Sequence, residues 1–187
     1  MEHALVAVDL ETTGFDPASE RIIEIGAARV RLGPGGSLEV GERFQTFVDP
    51  GRALPGVITR LTGIRDADLA GAPPPEAAVA AFAAFLAHGE GSPWLLGHNV
   101  GFDVAFLERA GLPGVGGRLD TADLASIILP EAPSYALQRL ALDAGVVVDA
   151  AHRALDDALT CAQVLAWLAG RAGALPPAVL EEACGHA

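Results

Sequence analysis

Asp9 and Glu11 stand one residue apart at the end of an apolar, β-branched run. Along an extended strand alternate side chains leave the same face, so this spacing sets two carboxylates side by side. Two acids held together repel unless a cation lies between them, and oxygen donors suit hard ions such as Mg²⁺ or Mn²⁺. The residues that follow, Thr12-Thr13-Gly14-Phe15, add two hydroxyls and a glycine at which a backbone can approach a phosphate or sugar closely.

Two further constellations carry acids of the same kind. Gly97-His98-Asn99-Val100-Gly101-Phe102-Asp103 follows a short apolar stretch and opens a helical pattern. Asp103 shares its helix face with Phe106 and Leu107, three and four residues on, so it points inward. The third constellation is His152-Arg153-Ala154-Leu155-Asp156-Asp157. Neighbours on a helix are ~100° apart, so the two aspartates cannot share a role. Asp157 is in register with Cys161, Val164 and Leu168, the apolar stripe, whereas Asp156 lines up with Thr160 and Gln163. Asp157 is therefore the buried carboxylate. His152 fits a position in the loop before the helix, from which it could swing over a site. The remaining histidines, His3, His88 and His186, have no acids at comparable spacing.

The elements that must position these groups are legible from periodicity and turn chemistry. Residues 4–10, 21–31 and 43–48 read as three strands joined by short turns, with 94–96 and 146–148 as further short strands. Residues 77–87, 102–110, 121–128, 135–144 and 153–169 carry helical spacing. Loops fall at 33–36, 71–75, 111–117 and 176–177, none long enough for a domain linker. A strand meander followed by alternating helices and strands predicts an α/β domain with a mixed sheet. The 187 residues are read as one domain, with a motif-bearing core at about 4–169 and a short C-terminal extension at 170–187.

Composition narrows the chemistry. Hydrophobic residues make up 51% and the mean hydropathy is +0.36, yet the longest apolar run, residues 77–87, is too short to span a bilayer. Acidic Asp9 and Glu11 interrupt what could have been a signal peptide, so the expected location is cytoplasmic, with no membrane association. Cys161 and Cys184 form no CxxC pair, which excludes a cysteine-built zinc site and leaves oxygen or imidazole to hold any metal. The 12 basic residues, all arginine, face 24 acidic ones for a net charge of −12. That sign opposes a long electrostatic grip on duplex DNA and implies a short, local contact with nucleic acid or delivery by a partner.

Taken together, Asp9-Leu10-Glu11-Thr12-Thr13-Gly14, His98-Asn99 with Phe102-Asp103, and His152 with Asp157 resemble the three motifs of the DEDDh exonucleases. The chain is most similar to the proofreading epsilon subunit of bacterial DNA polymerase III and its stand-alone relatives. Leu61-Thr62-Gly63-Ile64, Asp120-Thr121 and Ser134-Tyr135-Ala136-Leu137 extend the match. The sister DEDDy branch has a tyrosine four residues before its last aspartate; Arg153 stands there in this chain, so His152 is the expected base.

The resemblance implies a ribonuclease H-like fold, with a mixed five-stranded sheet flanked by helices. It implies hydrolysis at nucleic acid 3′ ends with two divalent ions, Mg²⁺ or Mn²⁺, releasing nucleoside 5′-monophosphates. In that scheme Asp9 bridges both ions, Glu11 and Asp157 help bind the one holding the attacking water, Asp103 supports the second, and His152 takes the water's proton. Substrate contacts fall by resemblance on Thr12, Thr13, Gly14, Phe15, Leu61, Thr62, His98, Asn99 and Phe102. Many epsilon-like chains have histidine where Thr62 stands. Three readings stay open: a DNA exonuclease, an RNA-trimming relative similar to oligoribonuclease or RNase T, and an inactive scaffold. The Thr12-Thr13 pair favours the proofreading branch. The epsilon subunit carries a polymerase-tethering tail, whereas this chain ends about seventeen residues after its last long helix. A stand-alone enzyme is therefore expected at least as readily as a subunit with a DNA polymerase partner.

Overall fold

The computed structural model describes residues 5–88, 93–147 and 153–172. Three strands open the chain: β1 (Leu5–Thr12), β2 (Ile22–Leu32) and β3 (Leu38–Phe47). Two short helices, α1 (Gly56–Thr62) and α2 (Asp66–Leu69), precede the longer α3 (Pro75–Ala87). Then come β4 (Trp94–Gly97), α4 (Val100–Arg109), β5 (Gly117–Asp120), α5 (Thr121–Ile128), α6 (Leu137–Asp143) and α7 (Ala154–Ala172).

The strands form one mixed five-stranded sheet in the order β3-β2-β1-β4-β5. β1 is central, antiparallel to β2 and parallel to β4, and β4 is parallel to β5. Because β1 and β4 run the same way, their carboxyl ends open at one edge of the sheet, where ligands of α/β folds collect. On one face Val6, Val8, Leu10, Ile25 and Ala27 pack against Phe82, Phe85, Val104 and Leu107 of α3 and α4. On the other, Ala7, Ala28 and Val30 pack against α5, α6 and α7.

That second face is lined with small residues at the centre, and the reason lies at Gly26. It pairs with Asp9 across β1 and β2, and a Cβ there would stand 2.0 Å from the Leu155 backbone nitrogen. Only glycine lets the first turn of α7 come down onto the sheet at this point. Among the described residues, no helix is long and apolar enough to cross a membrane.

The mixed sheet agrees with the sequence reading, but its fifth strand is elsewhere. Residues 146 and 147 are not in a strand; Gly145 adopts φ 71° and the Val146 N–H bonds the Ala141 carbonyl at 2.9 Å, which closes the end of α6. The fifth strand is Gly117–Asp120, at the border of a segment read as loop. Val148 lies outside the described residues. α1 and α2 were not expected from periodicity.

Candidate active site

Asp9 and Glu11 occupy the carboxyl-terminal half of β1 and share the face that looks towards α7. α7 delivers Asp157 to the same place. Asp157 is 6% exposed while Asp156 is exposed to solvent, the orientation its apolar stripe implies. Each of Asp9, Glu11 and Asp157 offers a carboxylate oxygen, and these lie within 4.8 Å of one another. Such a set could hold a metal ion.

Asp103 arrives from the other side of the sheet on α4. It is 3% exposed, and its Oδ1 accepts the Leu10 N–H at 3.0 Å, which locks α4 to the strand between the two site acids. The helix that carries it begins under constraint: Asn99 holds φ 60° and ψ 43°, a left-handed conformation rare outside glycine. Asp120 fixes that turn. Its carboxylate accepts the Asn99 N–H at 3.0 Å, the Val100 N–H at 2.8 Å and the Ala122 N–H at 2.9 Å, so one side chain caps both α4 and α5. His98 Nδ1 lies 2.9 Å from the Thr121 hydroxyl, and burial holds its pKa below the ordinary imidazole value against the pull of Asp120.

The electrostatics follow from crowding acids in a dry strand end. Burial lifts the Asp9 carboxyl well above its usual range, and Asp103, Asp157, Glu11 and Glu24 add repulsion. Burial also pushes Glu11 up to about 8, with Asp157 and Glu24 adding to the rise and Arg153 opposing it. Asp103 is raised by burial too, although backbone N–H donors, that of Leu10 among them, pull the other way. A divalent cation among these groups would relieve the repulsion, and the donor set of carboxylate oxygens fits Mg²⁺ or Mn²⁺.

Of the nine residues expected on substrate, Gly14, His98 and Phe102 are half-buried and the other six separate into two groups. The hydroxyls of Thr12, Thr13 and Thr62 are buried and bonded within the protein. Thr12 donates to the Gly14 carbonyl at 2.7 Å, and Thr62 donates to Ile58 while accepting the Ile64 N–H. Thr13 donates to Glu20 and accepts from the Arg21 N–H and, at 2.6 Å, from Arg52, so it closes the loop between β1 and β2. Phe15, Leu61 and Asn99, by contrast, are exposed, and Phe15 is 86% so. Phe15 stands edge-on to Phe102 at 6.4 Å between ring centroids, and Phe102 rests on Phe106 at 4.9 Å. An open aromatic surface thus lies beside the acids. His152 lies outside the described residues.

Two contributors escaped the motif reading. Glu24, wholly buried on β2, is the cross-strand partner of Glu11, and Arg153 bonds it from the start of α7. A charged residue inside the apolar run of β2 is the signal that could have found Glu24.

Comparison with known proteins agrees with this geometry. A family model described as exonuclease, of the RNase T type, matches residues 6–165. DNA polymerase III subunit epsilon of Aquifex aeolicus is 33% identical over 88% of this chain and 79% of its own length. A PolC-type DNA polymerase III of Clostridium perfringens is 35% identical over 86% of this chain, which spans only 11% of that polymerase. Among solved structures, Exonuclease X in complex with 5′ overhanging duplex DNA superposes with a TM-score of 0.69 at 25% identity, covering 90% of this chain and 93% of that one. With its ribonuclease H-like sheet and its acids gathered at the end of β1, the chain belongs to the exonuclease family, in the company of the epsilon-like proteins.

Proposed function

We propose that this chain is a 3′-to-5′ exonuclease that removes nucleotides from DNA ends, single-stranded or mismatched by preference, and releases nucleoside 5′-monophosphates. The observation that carries the reading is the convergence of Asp9, Glu11 and Asp157 within 4.8 Å, with Asp103 bonded to the same strand. Asp9, Glu11, Asp103 and Asp157 would hold two divalent ions, Mg²⁺ or Mn²⁺. When bound, such ions stabilise charge on the attacking and departing oxygens of a phosphodiester. Asp103 fixes the spacing between Asp9 and α4 through the Leu10 N–H. His152 accepts the proton of the attacking water, a task suited to a side chain that titrates near neutrality. The exposed face of Phe15, backed by Phe102, and the exposed Leu61 support a place for the terminal base, an apolar surface on which any base can stack. By their resemblance to the family motifs, Gly14, Thr12, Thr13, Thr62, His98 and Asn99 are assigned to contacts with the same terminal nucleotide. The similarity to epsilon and PolC-type sequences supports work beside a DNA polymerase in proofreading or repair.

The test is parallel digestion of 3′-labelled single-stranded DNA, mismatched duplex and RNA with Mn²⁺ or Mg²⁺, by the wild type and by His152→Ala. Wild type should release mononucleotides from the 3′ end, DNA faster than RNA. The variant should lose most activity yet still bind Mn²⁺. Faster RNA digestion would move the assignment to RNA trimming, equal rates for the two proteins would remove His152 from the mechanism, and no release from any substrate would leave the inactive scaffold.

A further inference from the structure

Glu24 is 0% exposed and faces α7 from the second strand, directly across from Glu11. A buried carboxylate is costly unless every lone pair is occupied. Here they are. Oε1 accepts the Gln45 side-chain N–H at 2.7 Å and an Arg153 terminal N–H at 2.9 Å; Oε2 accepts the Arg153 Nε–H at 3.2 Å and the Ala154 backbone N–H at 3.3 Å. The guanidinium thus grips the carboxylate through both oxygens, and it lies over the Phe47 ring at 5.4 Å. Glu24 has no lone pair left for a metal, yet it touches the first turn of the helix that carries Asp157.

The consequence is geometric. Arg153 and Ala154 enter α7, the Asp157 N–H bonds the Arg153 carbonyl at 2.9 Å, and His152 is the residue before Arg153 in sequence. We infer that Glu24 and Arg153 are a positioning pair: they pin the first turn of α7 to β2, so that Asp157 meets Asp9 and Glu11. Neither residue touches substrate. The pair acts through Asp157, and this role rests on the proposed nuclease function. A lysine at 153 could supply the charge but not the two-point grip, because its ammonium cannot match both carboxylate oxygens in one plane.

The experiment compares wild type, Glu24→Gln, Arg153→Met, Arg153→Lys and the double variant Glu24→Gln/Arg153→Met. It reads Tm, Mn²⁺ affinity by electron paramagnetic resonance, and kcat and KM on 3′-labelled single-stranded DNA. Arg153→Met should lower Tm most, because it leaves a buried carboxylate without its cation. The double variant should regain much of that Tm, since both charges are gone. It should still bind Mn²⁺ about 10-fold more weakly and turn over about 10- to 100-fold more slowly, the range seen when groups that orient metal ligands are lost, with KM little changed. Arg153→Lys should restore Tm more fully than kcat. Should Arg153→Met fail to fold, the double and lysine variants still decide. A double variant with native Tm, Mn²⁺ affinity and kcat all within twofold of wild type would overturn the positioning role. A wild type without nuclease activity would sink the proposed function instead, and Mn²⁺ affinity across the series would still decide the pair.

Discussion

Gly26→Ala isolates the approach of α7 to the sheet from every charged group in the site. The added Cβ would lie 2.0 Å from the Leu155 nitrogen, 2.2 Å from the Ala154 carbonyl carbon and 2.5 Å from the Leu155 Cα. All three are backbone atoms, so no side chain can rotate away. Ordinary contact needs about 3.5 Å, so the first turn of α7 must withdraw by roughly 1.5 Å. Overpacking of this kind costs about 1–3 kcal/mol. For a domain of this size that lowers Tm by about 2–12 °C. The larger effect should be on catalysis, because Asp157 sits two residues beyond Leu155 and a misplacement of ~1 Å costs about 100-fold in rate. The assay is kcat with saturating Mn²⁺ at a temperature well below the variant's Tm, so that unfolded protein contributes nothing. Gly41→Ala, whose Cβ would meet Arg29 at 3.6 Å, and Gly101→Ala, with nothing within 4 Å, are the silent controls. A Gly26→Ala protein within threefold of wild-type kcat would refute the claim that close seating of α7 sets the site.

Two further outcomes follow from the acids themselves. Glu11 is held up to about 8 from an ordinary 4.5, so the native chain keeps a proton that the unfolded chain releases across that window. In EDTA the associated stability is fully present below pH ~4.5 and is lost as pH rises towards 8, a penalty of about 2–3 kcal/mol once solvent around a half-buried carboxylate is allowed for. Saturating Mn²⁺ should offset it, so the gap in Tm between Mn²⁺ and EDTA should widen from pH 5.5 to 8; a gap that stays constant across this range would contradict the assignment. Asp157→Asn should lower kcat by at least about 100-fold with Mn²⁺ binding weakened, whereas Asp156→Asn, on the solvent face, should change kcat less than about twofold. Steady-state kinetics and Mn²⁺ titration of the two proteins check this, and similar losses in both would mean that the helix face has been misassigned.

Much of this arrangement was legible in the sequence because it rests on local periodicity. The two-residue spacing of Asp9 and Glu11 needs only a strand, and the choice of Asp157 over Asp156 needs only the stripe through Cys161 and Leu168. What stayed hidden depends on contacts distant in sequence or on elements too short to show a period. β5 is four residues of mixed character, Gly117 to Asp120, and is a strand because β4 pairs with it. The valines at 146 and 147 look more like a strand, but Gly145 turns them into the end of α6. Helices of seven and four residues, α1 and α2, give too few turns for an apolar face to repeat. Glu24 finds Arg153 at a separation of 129 residues, and no window along the chain joins them. The hydroxyls of Thr12 and Thr13 show a further use that spacing did not announce: the return of β1 into β2 bonds them within its own loop.

The same residues explain how a chain of net charge −12 could handle a polyanion. The sheet face beneath α7 carries Ala7, Gly26 and Ala28, side chains too small to hold a helix away, so the amino-terminal end of α7 reaches the carboxyl end of β1. A helix amino terminus favours negative charge, which steadies Asp157 there and Glu24 below it. That field does not offset burial, the largest cause, and the repulsion of neighbouring acids, which together raise the Asp9 and Glu11 carboxyls. Arg153 opposes the rise at Glu11 only in part, and one edge of its guanidinium, Nε and a terminal nitrogen, is bonded to Glu24. The fold therefore supplies a set of crowded carboxylates that divalent ions would fit and whose repulsion they would relieve, which on the proposed function would make room for a phosphodiester.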